Sequence, residues 1–254
     1  MASPQSTAPA TKAPVKYLDT AAAYDLWSEV YDTDNNFLQA LDTVQMQVLL
    51  PRLVAAMTLP APWKLVDLGC GTGRNTLNLL SIPSVSRIAG YDLSPKMLEI
   101  ARRRVADTSH TKAVEFEVYD ALGSDAGVQA EGVRADAVIS TLVLEHLPVD
   151  VFFGQASRML KSSGLLLVTN MHSEMGGISQ AGFVDPRTGE KIRPVASYAH
   201  TVAETVEAAE KFGLEVVGQV EERMVGEEDW EGYGLRAKKW VGVRVWYGGL
   251  FRKR

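Results

Sequence analysis

Three acids and three glycines carry the chemistry that is easiest to see in this chain. The stretch V-D-L-G-C-G-T-G-R sets Asp67 just ahead of Gly69, Gly71 and Gly73, which fall at alternate positions. Glycines let a backbone turn tightly and approach a ligand closely. A dinucleotide loop needs G-x-G-x-x-G, with a pyrophosphate on the following helix N-terminus. Read from Gly69, the last glycine would have to stand at Arg74; read from Gly71, at Thr76. A phosphate loop would end in Gly-Lys-Ser/Thr, which is also absent. The Asp67 carboxylate disfavours a phosphate and suits a cationic ligand, by roughly 1 kcal/mol or more when partly desolvated. Asp92 follows Gly73 by 19 residues, in G-Y-D-L-S, where an acid can accept hydrogen bonds from both ribose hydroxyls. Asp120, in V-Y-D-A, could meet an adenine amino group. Singly, Asp92 reads equally well as a helix cap and Asp120 as a turn residue. Together with the glycine spacing they imply a nucleoside with a positively charged, phosphate-free arm.

The elements that must hold these residues alternate. K-L-V-D-L reads as a strand and R-N-T-L-N-L-L-S-I as a helix. R-I-A-G-Y-D-L is the second strand, and S-P-K-M-L-E-I-A-R-R-R-V-A-D the second helix, with Ser94 as N-cap and Pro95 in its first turn. A-V-E-F-E-V-Y-D and A-D-A-V-I-S-T-L are the third and fourth strands. V-D-V-F-F-G-Q-A-S-R-M-L-K-S-S-G is a helix that should stop at Gly164, and L-L-L-V-T-N-M a fifth strand. Such alternation predicts an α/β domain with a parallel sheet. Ahead of it, residues 17–60 read as a helical cap, with Pro51 expected to break or restart the second helix. Behind it, residues 171–198 read as a substrate-side insertion with a hairpin turning at Asp185-Pro186-Arg187-Thr188-Gly189. A helix over H-T-V-A-E-T-V-E-A-A-E-K-F-G follows, then a strand, a loop over G-E-E-D-W-E-G-Y-G whose Trp230 and Tyr233 should help choose the substrate, and a closing strand over K-K-W-V-G-V-R-V-W-Y-G-G-L-F. Residues 1–16 read as a disordered tail and 17–254 as one domain.

The motifs D-L-G-C-G-T-G, Y-D-L-S-P-K-M-L and L-E-H-L resemble those of class I S-adenosylmethionine-dependent methyltransferases, most closely the small-molecule branch that includes the ubiquinone and menaquinone enzymes. The resemblance implies a Rossmann-like seven-stranded sheet, order 3-2-1-4-5-7-6, with strand 7 antiparallel. It implies S-adenosyl-L-methionine as cofactor. By position, the Gly69–Gly73 backbone should hold its methionine part and Asp92 its ribose. Leu93 should pack on the adenine, with Asp120 and Ala121 reading the adenine edge. Thr141 should lie near the sulfonium. Tyr24, Trp27 and Tyr31 match the spacing of a site-closing N-terminal helix, though plain amphipathic packing accounts for them equally well.

A proton acceptor would help methylate a phenol, an enolisable carbon or a protonated amine, by roughly 10²–10⁴-fold. His146 follows the fourth strand and His172 the fifth, so both are candidate bases or substrate contacts. A structural or cofactor contact is the competing reading for each. His200 reads as a cap and His110 as inert; Glu145 and Asp150 read as helix-edge charge. The scattered histidines argue against a metal site. The expected acceptor is a small organic metabolite, of primary or specialised metabolism, methylated on oxygen, nitrogen or carbon. A non-methylating cofactor-binding protein on the same fold is the alternative; a nicotinamide-dependent oxidoreductase is disfavoured by the glycine spacing. The net charge of −5 offers no basic footprint for nucleic acid. No apolar run reaches ~18 residues, so no membrane span is expected. One cysteine, Cys70, suits a reducing, cytoplasmic setting and rules out an internal disulfide. A monomer or homodimer is expected.

Overall fold

Strands such as K-L-V-D-L carry apolar residues without alternation, so both faces of the sheet they form must be covered. The computed structural model describes residues 14–254 and shows how that is done. The chain opens with β1 (Val15–Leu18), α1 (Thr20–Trp27) and α2 (Phe37–Ala56). The alternating part runs β2 (Trp63–Leu68), α3 (Arg74–Leu80), β3 (Val85–Asp92), α4 (Pro95–Ala106) and β4 (Ala113–Val118). It continues with α5 (Ala126–Val133), β5 (Ala135–Thr141), α6 (Val149–Met159) and β6 (Leu160–Met171). Then come α7 (Ser173–Ile178), β7 (Phe183–Val184), β8 (Lys191–Pro194), α8 (Val202–Lys211), β9 (Leu214–Met224), α9 (Trp230–Tyr233) and β10 (Arg244–Lys253).

Seven strands form one sheet in the order β4-β3-β2-β5-β6-β10-β9. Counting this sheet's strands alone, that is 3-2-1-4-5-7-6, and β10 runs antiparallel to both its neighbours. Successive side chains of a strand point to opposite faces. Accordingly Leu65, Ile139, Leu165 and Leu167 pack with α2 on one side. Val66, Val138, Leu166 and Val168 pack with α5, α6 and α8 on the other. A small second sheet, β1-β8-β7, joins the N-terminal strand to the hairpin.

Several sequence expectations need correction. Val15 and Lys16, placed in the tail, belong to β1, which pairs in parallel with Lys191–Pro194. Residues 1–13 of the expected tail lie outside the described residues. Helix begins at Thr20 rather than Tyr17, capped by Asp19, and ends at Trp27; residues 28–33 are a run of turns. Pro51 does not break α2. Its missing donor and ring clash cost about 3 kcal/mol. Met46, Leu49, Leu50 and Leu53 are buried on both sides of it, at roughly 1.5–3 kcal/mol each, while Pro51 itself is exposed. The helix expected to run to Gly164 stops at Met159, because Leu160 already pairs with Ala135 of β5. The closing strand starts at Arg244; Leu235–Trp240 is a 3₁₀ turn.

One buried acid fastens α2 to the rest. Asp42 is fully buried and accepts from Thr169 Oγ1 (2.6 Å) on β6, Trp246 Nε1 (3.0 Å) on β10 and Arg74 Nη2 (2.7 Å) at the start of α3. Arg74 also donates to Thr43 Oγ1 at 2.8 Å. Breaking a buried ion pair by removing one partner costs roughly 3–5 kcal/mol. Asp42→Ala should therefore lower unfolding stability by about that much in a denaturant titration. An unchanged midpoint would show that this network holds nothing together.

Candidate active site

The glycine loop closes on the second strand through its own backbone. Gly69 and Cys70 donate N–H to Tyr91 O at 2.7 and 2.9 Å, and Gly71 N donates to Asp92 Oδ2 at 2.8 Å. Ser94 N donates to the other oxygen, Asp92 Oδ1, at 2.9 Å. Burial pushes the Asp92 carboxyl up to about 6, and the Ser94 and Gly71 N–H groups pull against that. The three glycines are all left-handed, with φ of 72°, 53° and 81°. They do different things. Gly73 starts α3 and lies so close to Ala101 that a Cβ would stand 3.1 Å from it. A Cβ on Gly69 would meet Val143 Cγ2 at 2.2 Å, whereas one on Gly71 would meet nothing within 4 Å.

A cavity lies against this loop, at the carboxyl ends of β2, β3 and β5. Gly69, Gly71, Asp92, Leu93, Asp120, Ala121 and Thr141 line it, as do Tyr24, Tyr31 and His146. No Lys or Arg lines it among the described residues. Asp120 Oδ1 accepts from Leu122 N at 2.9 Å, the turn contact weighed above, yet the residue still faces the cavity. Thr141 Oγ1 accepts from Asn75 Nδ2 at 2.9 Å. Four expected residues lie elsewhere, Trp27 among them. Asp67 is buried and its Oδ2 accepts from Thr76 Oγ1 at 2.6 Å, so the carboxylate faces α3 and not the cavity. Burial raises it to about 6. Gly73 lines no cavity, because it packs against Ala101 instead.

The third is His172, which caps α7 by accepting from Glu174 N (3.1 Å) and pairs with Glu222 Oε1 (2.7 Å); it lines neither this cavity nor the larger one beside it. His200 Nε2 donates to Leu147 O at 2.8 Å, and its ring stacks on Tyr198.

The larger cavity, of about 510 Å³, adjoins the first. Tyr24, Tyr31 and Leu142 line both, so they form the junction. Trp27 lines the second cavity only, stacked on Phe183 at 5.3 Å. Met171, Met175 and Phe183 of the expected insertion line it, while Ile178 is exposed. Trp230 and Tyr233, expected to face the substrate, do not line it; the neighbouring Arg236, Lys239 and Trp240 do.

The 3₁₀ turn Leu144–His146 points successive residues into different cavities. His146 lines the first and Glu145 the second. His146 Nδ1 lies 3.2 Å from Ala196 O, a carbonyl that can only accept, which assigns the ring proton to Nδ1. Nε2 therefore accepts from the Tyr24 hydroxyl at 2.7 Å. Burial holds the imidazole down at about 4 and pushes Glu145 up to about 8. Tyr24 is raised well above the usual phenol range, again mainly by burial. Glu145 Oε2 is buried without a hydrogen-bond partner. Glu145 is thus not helix-edge charge, contrary to the sequence expectation; an acid inside V-L-E-H-L-P, apolar on both sides, was the available signal.

Fold and cavity together define a class: an α/β domain that holds a phosphate-free nucleoside cofactor at the carboxyl edge of its sheet. A family model described as "Methyltransferase domain" matches residues 66–168. An uncharacterized methyltransferase of Emericella nidulans, AN0656, is 48% identical over 260 residues, covering 92% of this chain and 91% of that one. The trans-aconitate 2-methyltransferase of Streptomyces coelicolor is 35% identical over 112 residues, 43% of this chain and 35% of its own. Among solved structures, the magnesium protoporphyrin IX methyltransferase of Synechocystis PCC 6803, with bound SAH, superposes with a TM-score of 0.59 at 15% identity, covering 92% of this chain and 95% of that one. The chain belongs to the class I S-adenosylmethionine-dependent methyltransferases, and S-adenosylmethionine is its cofactor. Among the described residues no helix is long and apolar enough to cross a membrane, and no cluster could hold a metal ion.

A side chain at a left-handed position costs roughly 1–2 kcal/mol. Gly71→Ala should cost about that. Gly69→Ala should cost more, since Val143 must also move. Equal shifts in thermal unfolding would contradict this difference.

Proposed function

We propose that the protein transfers a methyl group from S-adenosylmethionine, held in the glycine-lined cavity, to a small organic acceptor held in the 510 Å³ cavity. The observation that carries this reading is the junction: two cavities of different chemistry meet only through Tyr24, Tyr31 and Leu142. The cofactor supplies an activated methyl on a sulfonium. What the chain must add is alignment and dryness, and positioning alone can supply roughly 7–11 kcal/mol.

Asp92 binds the ribose hydroxyls in this reading. Its two oxygens accept from Gly71 and Ser94, and a carboxylate has about four acceptor sites, so lone pairs remain. Leu93 and Ala121 flank the adenine and Asp120 meets its edge. The Gly69–Gly71 backbone and Thr141 face the methionine arm. Asp67 and Gly73 shape the loop from behind. His146 orients Tyr24 at the junction and takes no proton, which its occupied Nε2 supports. His172 caps α7 and has no part in the transfer.

Incubation with methyl-labelled S-adenosylmethionine and a metabolite extract should yield a labelled small molecule; label retained only on the cofactor would overturn the reading. Asp92→Ala should weaken cofactor binding by about 1–3 kcal/mol in calorimetry, as lost charge-assisted hydrogen bonds do. The pH dependence follows. Ribose donors favour ionised Asp92, whose carboxyl sits at about 6. Affinity should be level above neutral pH and fall as pH drops through 6, because protonation then competes. Asp92→Asn should abolish that fall; a wild-type affinity flat down to about pH 5, below the carboxyl's own value, would remove Asp92 from the ribose.

A further inference from the structure

We infer that the acceptor is an organic acid methylated on a carboxylate oxygen, its charge held by Lys191, Arg236 and Lys239 on the rim of the 510 Å³ cavity. The inference rests on the reading of that cavity as the acceptor site.

Charge is the first argument. The chain has 31 acids against 26 Lys and Arg, yet this one cavity gathers cations. Lys191 comes from β8; Arg236 and Lys239 come from the 3₁₀ turn over residues 235–240. They are close enough to disturb one another. The Lys191 ammonium is held below its usual range by burial and then by Arg193, Lys239 and Arg236. Among the described residues neither Lys191 nor Lys239 pairs with a carboxylate; Lys239 Nζ lies 5.1 Å above the Trp240 ring. Only Arg236 faces an acid, Asp34, at 3.9 Å. Lys191 and Lys239, like charges brought together in a concave site with no carboxylate partner of their own among the described residues, cost free energy, and a bound anion relieves it. The Trp240 indole N–H, buried on the same cavity wall with no partner, is a further donor.

Proton balance is the second argument. A phenol, an ammonium or a carbon acid must lose a proton to accept a methyl. Of the groups near enough to take it, His146 and Glu145 are already engaged. His146 Nε2 accepts from Tyr24 and faces the other cavity. Glu145, pushed up to about 8 by burial, carries a proton at neutral pH. Asp34 Oδ2 is tied to Trp27 Nε1 at 2.9 Å and to Arg236, and its buried Oδ1 is the one open acceptor among these groups. A carboxylate, with an unperturbed pKa near ~4, arrives already ionised. Its oxygen forms the new C–O bond as the S–CH₃ bond breaks and the electron pair stays on sulfur. No proton is released; a methyl ester and S-adenosylhomocysteine result.

The test splits a metabolite extract on an anion exchanger and incubates each half with the full-length protein and methyl-labelled S-adenosylmethionine. We expect label in the acid half, released as methanol by mild alkali, as an ester requires. Lys191→Glu with Lys239→Glu should cut incorporation at limiting acid roughly tenfold or more, since two attractive charges become repulsive to the acid. Cofactor affinity, read by calorimetry, should not change. If that double variant fails to fold, Lys239→Gln at its exposed position should still cut incorporation several-fold. Alkali-stable label, label confined to the uncharged half, or incorporation untouched in the folded lysine variants would overturn the acid acceptor and leave methyl transfer standing. No transfer to either half by protein that binds the cofactor would instead overturn the cavity as acceptor site.

Discussion

The side chain of Asp42 bonds to three separate parts of the molecule, and both cavities depend on those bonds. It ties α2 to β6 through Thr169, to β10 through Trp246 and to the start of α3 through Arg74. The first residues of α2, Phe37 and Leu38, form part of the wall of the proposed acceptor cavity. Arg74 begins the helix that the glycine loop opens. One carboxylate therefore sets the cofactor loop and the acceptor wall in a common frame. The chemistry needs that, because methyl transfer is in-line and a misplacement of about 1 Å can cost 10²-fold. Arg74 is also where a dinucleotide loop would have its third glycine. A glycine there could not reach Asp42, so the departure from that pattern serves the frame as well as the ligand.

The cofactor half was legible because the residues proposed to hold the cofactor come from consecutive strand ends, each close in sequence to a diagnostic neighbour. Asp92, Asp120 and Thr141 end or follow β3, β4 and β5, and all line one cavity. Where sequence and structure part, local pattern competed with distant partners. Asp67 sits before the glycines but turns to Thr76, nine residues on, within its own β–α unit. Val15 and Lys16 look like the end of a tail and Tyr17 and Leu18 like the start of a helix, yet all four pair with residues 191–194. The acceptor half was scarcely legible at all. Its wall is drawn from α1, α2, β8 and the 3₁₀ turn before β10, and no local spacing links Lys191 to Lys239. The motifs read from the chain describe the cofactor, which enzymes with many acceptors share, so they do not single out a quinone branch.

Burial makes the centre of the site electrically quiet. His146 is held neutral and Glu145 protonated, on either side of one 3₁₀ turn. The Tyr24 hydroxyl, raised far above neutrality, donates to His146 and cannot itself ionise. Charge lies to either side, with acids along the cofactor cavity and, on the far cavity, three cations beside Asp34. A sulfonium and a cluster of lysines would repel each other if they shared one chamber.

The aromatic junction resolves that conflict. Tyr24, Trp27 and Tyr31 lie within 5.3–6.2 Å of one another in tilted and edge-on pairs. Aromatic faces are negative and attract cations by about 0.5–1 kcal/mol at exposed sites, more when desolvated. On the proposed reading such faces favour a sulfonium on one side and exclude water from both. An acid on the other side would be drawn outward by Lys191 and Lys239 and inward by the sulfonium. The balance leaves it stretched across the cavity with one oxygen at the junction. A single cation placed at the junction would destroy that arrangement, since it would hold the anion while repelling the methyl donor. The absence of Lys and Arg from the cofactor wall, among the described residues, is thus a condition of the reaction as much as a match to the ligand.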